Sequence, residues 1–340
     1  MTSLGSISGA ALDQYLVSAR AAGLDISPAL ADAGLDEATA RQPDSRVPGE
    51  RFEILLERLI AISGDPLFGL HTSQFVQPGS YSVMGYIAMN ATTLNEALSK
   101  VALYEKLVGD MGTTEVMPAG QLVEVRWCCR HTRQPVRRHL IENVFGSWVR
   151  YSRWLANNDA LTPELVLFEH DVHDRSAVAA YEKVFGCEVR FNQPCSALRA
   201  DPRVLDVRLR HPDPHLLSTL EAHAASKLQQ LGIDTSLAHK VREQIRVSLG
   251  ERLPRKEQIA SELGINMRTL HRRLREEGTT WQQVLDELRQ QLALQYLRDS
   301  DLPQASIAER LGYSDIRSFQ RSFKRHNGIT PGDYRSREKP

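Results

Sequence analysis

Two short stretches of the chain place basic and amide side chains at helical spacing. One holds Arg268, His271, Arg272 and Arg275; the other holds Arg317, Gln320, Arg321 and Lys324. Positions i, i+3, i+4 and i+7 share one face of a helix, so each set would form a single row. Such rows suit the edges of base pairs in a major groove. A guanidinium forks onto guanine O6 and N7, and a carboxamide onto adenine N6 and N7. The same side chains could also be merely solvated, as on an Arg-rich bundle or solenoid. What decides between the two is the frame around them.

That frame is repeated. Ile259-Ala-Ser-Glu-Leu-Gly264 is matched 48 residues later by Ile307-Ala-Glu-Arg-Leu-Gly312. Each is followed by a turn and a second helix, carrying Leu270 and Leu274 in the first copy and Phe319 and Phe323 in the second. In a helix-turn-helix the two helices cross closely, so the first needs a small residue at the crossing and a glycine at its end. Ala260 with Gly264, and Ala308 with Gly312, fill those places. Asn266 and Ser314 stand where the second helices need N-caps. The i,i+4 apolar pairs turn inward and leave the basic rows outside. The two motifs are expected at about 255–276 and 304–326, joined by a helix over 281–298 that spans roughly 27 Å. A rod of that length would set two recognition helices about one duplex turn, ~34 Å, apart.

Charge follows the same division. The whole chain is neutral, but residues 1–235 carry 22 Lys+Arg against 28 Asp+Glu and residues 236–340 carry 20 against 14, nets of −6 and +6. Only one half is suited to a polyanion. The run Gly232-Ile-Asp-Thr-Ser236 is the expected boundary, with Asp234 or Ser236 capping the next helix. Beyond it, helical signals at 237–249, 255–263, 267–276, 281–298, 304–311 and 315–326 imply an all-α C-terminal domain.

Residues 1–235 alternate helical and strand patterns. Helices are expected at 11–22, 48–63, 93–108, 135–157, 174–185 and 213–231, and strands at 121–130, 164–170 and 188–192. The class is α+β, an antiparallel sheet with helices. Tyr81, Tyr86, Tyr104, Trp127, Trp148 and Trp154 could line a ligand pocket or simply fill the core. No ligand residues are assigned.

Other chemistry finds little footing. His211-Pro-Asp-Pro-His215 is broken by prolines, and Cys128-Cys129 in a strand point to opposite faces. His170-x-x-His173 stands alone, without a C-x-x-C or H-E-x-x-H partner motif. No phosphate-binding glycine loop or nucleophile elbow occurs, so no catalytic residues, metal or cofactor are expected. No apolar run reaches the ~18–20 residues of a membrane span, and MTSLGSISGA lacks the basic and apolar parts of a secretory signal. With four cysteines and no export signal, a cytoplasmic chain with reduced thiols is expected.

The second copy resembles the signature of the AraC/XylS family of bacterial transcription regulators. The residues that carry it are Ile307-Ala308, Leu311-Gly312-Tyr313, Phe319, Arg321, Phe323-Lys324-Arg325, Gly328, Thr330-Pro331 and Tyr334-Arg335. The likeness covers about 237–336. It implies base reading by Arg268, His271, Arg272, Arg317, Gln320 and Arg321, with phosphate contacts from Arg275, Ser314, Lys324 and Arg325. Arg317 and Gln320 depart from the family's usual small residue and serine, so no relative's operator carries over.

Pro78-Gly79 through Leu94-Asn-Glu-Ala-Leu98, Phe185-Gly186 and Val189-Arg-Phe191 resemble the arabinose-regulator-type N-terminal domain of the ornithine-utilisation subgroup. That resemblance implies a regulator, an activator on family precedent and not an enzyme. Residues 1–235 would sense a small-molecule effector or form a homodimer, and residues 236–340 would bind promoter DNA and work with RNA polymerase. The alternatives are a constitutive DNA-binding regulator whose N-terminal domain only dimerises, and an enzyme tethered to DNA.

Overall fold

The computed structural model describes residues 4–42, 44–172, 177–248, 255–300 and 302–338. They fall into two compact units, Met1–Glu115 with Ala119–Ile233, and Asp234–Pro340 with Val116–Pro118.

The first unit runs β1 (Ser6–Ser8), α1 (Gly9–Ala21), α2 (Ser27–Asp32), α3 (Glu37–Ala40), β2 (Arg46–Pro48), α4 (Gly49–Ser63), α5 (Phe68–Thr72), α6 (Ser82–Met89) and α7 (Leu94–Val108). It continues with β3 (Gly112–Ala119), β4 (Leu122–Cys129), α8 (Val136–Ala156), β5 (Leu165–Leu167), α9 (Val178–Phe185), β6 (Glu188–Arg190), β7 (Ala197–Ala200) and α10 (Pro214–Gln230). The long α8 is the core helix. Leu140, Ile141 and Phe145 on it are almost fully buried with Leu12, Leu16 and Phe52. It stops at Asn157, whose φ of 51° is left-handed.

The main sheet has the order β3-β4-β7-β5-β6, and β1 and β2 form a separate two-stranded sheet. The sequence-based antiparallel assignment needs one correction. The β4–β7 and β5–β7 pairings are antiparallel, but β5 and β6 are parallel, Val166 opposite Val189. The reason is the intervening α9, since a helical crossover is what a parallel pair requires. Strands β1, β2, β3 and β7 were not anticipated, nor were helices α2, α3, α5 and α6. Strands β5 and β6 are shorter than the 164–170 and 188–192 expected. The start of the expected helix 174–185 and residue His173 lie outside the described residues.

Apart from Val116–Pro118, which belong to β3, the regular elements of the second unit are helices among its described residues: α11 (Leu237–Ser248), α12 (Lys256–Glu262), α13 (Met267–Glu276), α14 (Trp281–Asp299), α15 (Gln304–Arg310), α16 (Ile316–Asn327) and α17 (Pro331–Glu338). Residue 249, the expected end of α11, lies outside the described residues. One hydrophobic core runs through all of it. Ile259, Leu270 and Leu274 share this core with Val284, Leu288 and Leu292 of α14 and with Ile307, Phe319 and Phe323. Ala260 and Ala308 are each 2% exposed, the small residues that close crossings demand. Helix α17, not anticipated, has Pro331 in its first turn, and Thr330 Oγ1 accepts from the Asp333 N–H.

Candidate nucleic-acid interface

Helices α12 and α13 form the first helix-turn-helix. The chain turns at Gly264 (φ 66°), and the Ile265 N–H donates back to the Ala260 carbonyl at 2.9 Å. A side chain at that φ would be strained, so glycine is needed there. Asn266 caps α13, its Oδ1 accepting from the Thr269 N–H at 2.9 Å. Leu270 and Leu274 are fully buried, which fixes the rotation of α13 and leaves Arg268, His271, Arg272 and Arg275 exposed together. Arg272 Nε is 3.7 Å from Glu276 Oε1 with both side chains over 60% exposed. Such a pair contributes little and is readily exchanged for a stronger acceptor.

Helices α15 and α16 repeat the arrangement. Gly312 has φ 68°, and the Tyr313 N–H donates to the Ala308 carbonyl at 2.9 Å. Buried Phe319 and Phe323 set the rotation, and Arg317, Gln320, Arg321, Lys324 and Arg325 are exposed. The cap differs from the one expected. Asp315, not Ser314, is the N-cap, with Oδ1 accepting from the Ser318 N–H at 2.8 Å. The hydroxyls of Ser314 and Ser318 both donate to Asp315 Oδ2, and Arg321 Nη2 donates to Ser318 Oγ at 3.4 Å. The Ser318 N–H and hydroxyl, joined by Ser314, pull the Asp315 carboxyl down to about 2. Aspartate and serine cap about equally well, and because α16 starts at Ile316 the cap falls on Asp315. Gln320 Nε2 donates to Gln304 Oε1 at 2.8 Å, so one of its amide protons is already committed. Ile316 is 37% exposed one turn before Gln320, an apolar group the sequence did not single out.

Two residues that position these faces were also missed. Arg289, 7% exposed in α14, donates from Nε to the Leu311 carbonyl at 2.8 Å and from Nη2 to the Gly312 carbonyl at 2.6 Å. Its guanidinium lies 4.4 Å from the centre of the Tyr313 ring. Burial lowers the pKa of Arg289, offset in part by Tyr313. Glu277, just past α13, accepts from the Leu237 and Ala238 N–H groups, each at 2.8 Å, and so closes the first turn of α11. Ser236 adds a bond from the His239 N–H, while Asp234 serves Ser236.

In the first unit, Trp148 and Tyr81 line a cavity of about 170 Å³, and both also line a second one of about 100 Å³, where Trp127 joins them. Tyr104 is buried in α7, whereas Tyr86 and Trp154 are exposed. Cys128 and Cys129 lie in β4, Cys129 buried, and none of the four cysteines forms a disulfide. Among the described residues no group of three or more His, Cys, Asp or Glu has metal-binding geometry, and no helix is long and apolar enough to cross a membrane.

Two helix-turn-helix motifs built on one core, each turning a basic helix face outward, define a two-motif DNA-binding protein. Residues 259–337 match a helix-turn-helix domain model, and residues 23–209 match the model of the N-terminal arabinose-binding domain of AraC transcription regulators. The chain belongs to this family: it is a DNA-binding AraC-type transcription regulator with an arabinose-binding-like N-terminal domain. It is similar to the ornithine utilization regulator of Pseudomonas aeruginosa, with 28% identity over 295 residues, covering 86% of this chain and 85% of that protein. The transcriptional regulator VirS of Mycobacterium tuberculosis is 28% identical over 324 residues, covering 93% and 92%. A crystal structure of the regulator CdpR from Pseudomonas aeruginosa aligns with a TM-score of 0.47 at 24% identity, over 92% of this chain and 96% of that one.

Proposed function

We propose that this chain is a sequence-specific, effector-controlled transcription activator of the cytoplasm that reads a split operator. The observation that carries the reading is the pair of exposed polar faces on α13 and α16, locked in rotation by buried Leu270/Leu274 and Phe319/Phe323. Arg268, His271 and Arg272 read one half-site; Arg317, Gln320 and Arg321 read the other. Ile316 adds an apolar contact suited to a thymine methyl. Arg275, Lys324 and Arg325 reach phosphates, and the Ser314 hydroxyl would first have to turn from Asp315. Helix α14, of 19 residues, spans about 28 Å, in keeping with recognition helices one duplex turn apart.

Residues 1–235 hold the effector and shift the population of DNA-competent chains; residues 236–340 bind DNA and contact RNA polymerase. The match to an arabinose-binding domain and the cavity beside Trp148 support a ligand there. The test is selection of genomic fragments by the full-length protein at near-physiological salt. Enrichment of a two-part site with half-sites about one turn apart is expected. Binding without sequence preference that only fades with salt would overturn specific reading.

A further inference from the structure

The cavity in the N-terminal unit narrows the kind of molecule it can hold. Its floor follows from strand alternation. Val123 stands opposite Ala200 and Val125 opposite Leu198, so these four leave one face of the sheet. Glu124 and Arg199, the pair between them, meet on the other face at 2.7 Å. Met84 of α6, Leu94, Leu98 and Val101 of α7, and Leu155 of α8 form the walls, and no charged residue lines the space among those described. Polar side chains are few, the hydroxyls of Tyr81, Tyr151, Ser152 and Thr162. The Tyr151 hydroxyl is committed, donating to the Gly85 carbonyl at 2.8 Å. The Tyr81 hydroxyl is buried and makes no well-formed hydrogen bond among the described residues, with Ser147 within weak reach of it. Ser147, beside it, is already engaged with Gln14 and Asn143.

An ion placed there would be unpaired, and most hydroxyls of a sugar would lose water without replacement. An apolar cavity of about this size accommodates a benzene-sized body. We propose that the cavity takes an uncharged, mainly apolar molecule of about six to ten carbons bearing one hydroxyl or carbonyl oxygen, which the Tyr81 hydroxyl engages. The proposal rests on the reading of this unit as an effector domain. Neither a free sugar nor a zwitterionic amino acid fits it.

The test is thermal unfolding and tryptophan emission of the full-length chain with 1-octanol, 2-phenylethanol, L-arabinose or L-ornithine. The two alcohols should raise the unfolding midpoint by about 5 °C or more at a hundred times their dissociation constant. They should also change the emission of Trp148, which lines the cavity. Ala97→Phe, which fills the space, should weaken them at least tenfold; if that variant does not fold, Ala200→Leu on the floor serves instead. Tyr81→Phe should weaken the alcohols about two- to tenfold and leave ethylbenzene unaffected. Binding of arabinose or ornithine in place of the alcohols, lost on filling, would overturn the ligand class and keep the effector reading. No binding by any probe also overturns the class. If the filled variant then regulates its promoter like the native chain, the effector reading falls with it.

Discussion

Arg289 holds Gly312. The guanidinium of a residue in the helix between the two motifs donates to the backbone carbonyl at the turn of the second motif, 2.6 Å away, and to the Leu311 carbonyl beside it. A helix end leaves carbonyls without partners, and those of α15 face protein rather than water. The bonds therefore make α14 part of the second motif's turn.

Arg289→Met keeps the aliphatic packing but leaves two carbonyls unpaired and Tyr313 without its cation. It should destabilise the C-terminal unit by about 2–4 kcal/mol. Footprinting should show protection lost first over the half-site read by Arg321. Arg289→Lys keeps the charge without the planar fork and should recover only part of it. Equal loss over both half-sites would mean that α14 serves the two motifs alike.

The two motifs were legible because their logic is local: alanine, glycine, cap and i,i+4 apolar pair follow within twenty residues. Arg289 was not, since one arginine on a mostly polar helix looks the same whether solvated or buried. The choice of Asp315 over Ser314 was equally hidden. Both are good N-caps in adjacent positions, and where the helix starts decides between them. In the N-terminal unit, helices with long apolar stripes, such as α7, could be read directly. Strand β7 could not, because four residues with no clear alternation enter the sheet between β4 and β5, partners distant in sequence. The cavity floor depends on that insertion, so its strand residues could not be named in advance, whereas Tyr81 and Trp148 stood among the aromatics that could line a pocket or fill the core.

Asp315 has opposed effects on DNA binding. Its carboxylate caps α16 and, through Ser318, steadies Arg321, yet in the proposed complex it would place a negative charge beside the phosphates. Asp315→Asn keeps a capping oxygen and removes the charge. It should tighten binding to every sequence and weaken discrimination at the Arg321 half-site, as seen by competition between specific and random duplexes. The sign of the acid dependence follows from the carboxyl sitting near 2 in the folded chain, below its ordinary 3.8. The stabilisation it gives is complete above 3.8 and is lost as pH falls through about 2. Native and Asp315→Asn chains should therefore differ in pH dependence only in the acid range, and a difference between pH 5 and 8 would assign the effect elsewhere.

Glu142 in α8 is fully buried, accepting from Arg138 Nε at 2.7 Å and from the Tyr181 hydroxyl. Burial pushes its carboxyl up, but His139, His170 and Arg138 outweigh that and hold it well below the ordinary carboxylate range. The ionised form thus stabilises the N-terminal unit above pH 4.5, and the contribution falls away as pH drops further. Glu142→Gln should cost about 3–5 kcal/mol in urea unfolding at pH 7, because Arg138 loses its buried counter-charge. The gap should narrow near pH 3; a gap independent of pH would attribute the loss to packing.

Base and phosphate contacts separate by what each variant does to specificity and to salt dependence. Arg272 and Arg321 occupy equivalent places on α13 and α16, each between an outward neighbour three or four residues before it and the buried face behind. Replacing either by alanine should cost about 1–3 kcal/mol on the full operator and relax selectivity at one half-site only, a different one for each. Lys324 lies a turn further along α16, at the end that the proposed reading carries out of the groove. Lys324→Ala should weaken binding to all duplexes alike and lower the slope of log affinity against log salt by about one. Titrations of the three alanine variants on operators mutated in each half separately will read this directly. If Arg321→Ala flattens the salt slope and spares selectivity, α16 lies in the groove rotated from the position its buried phenylalanines imply.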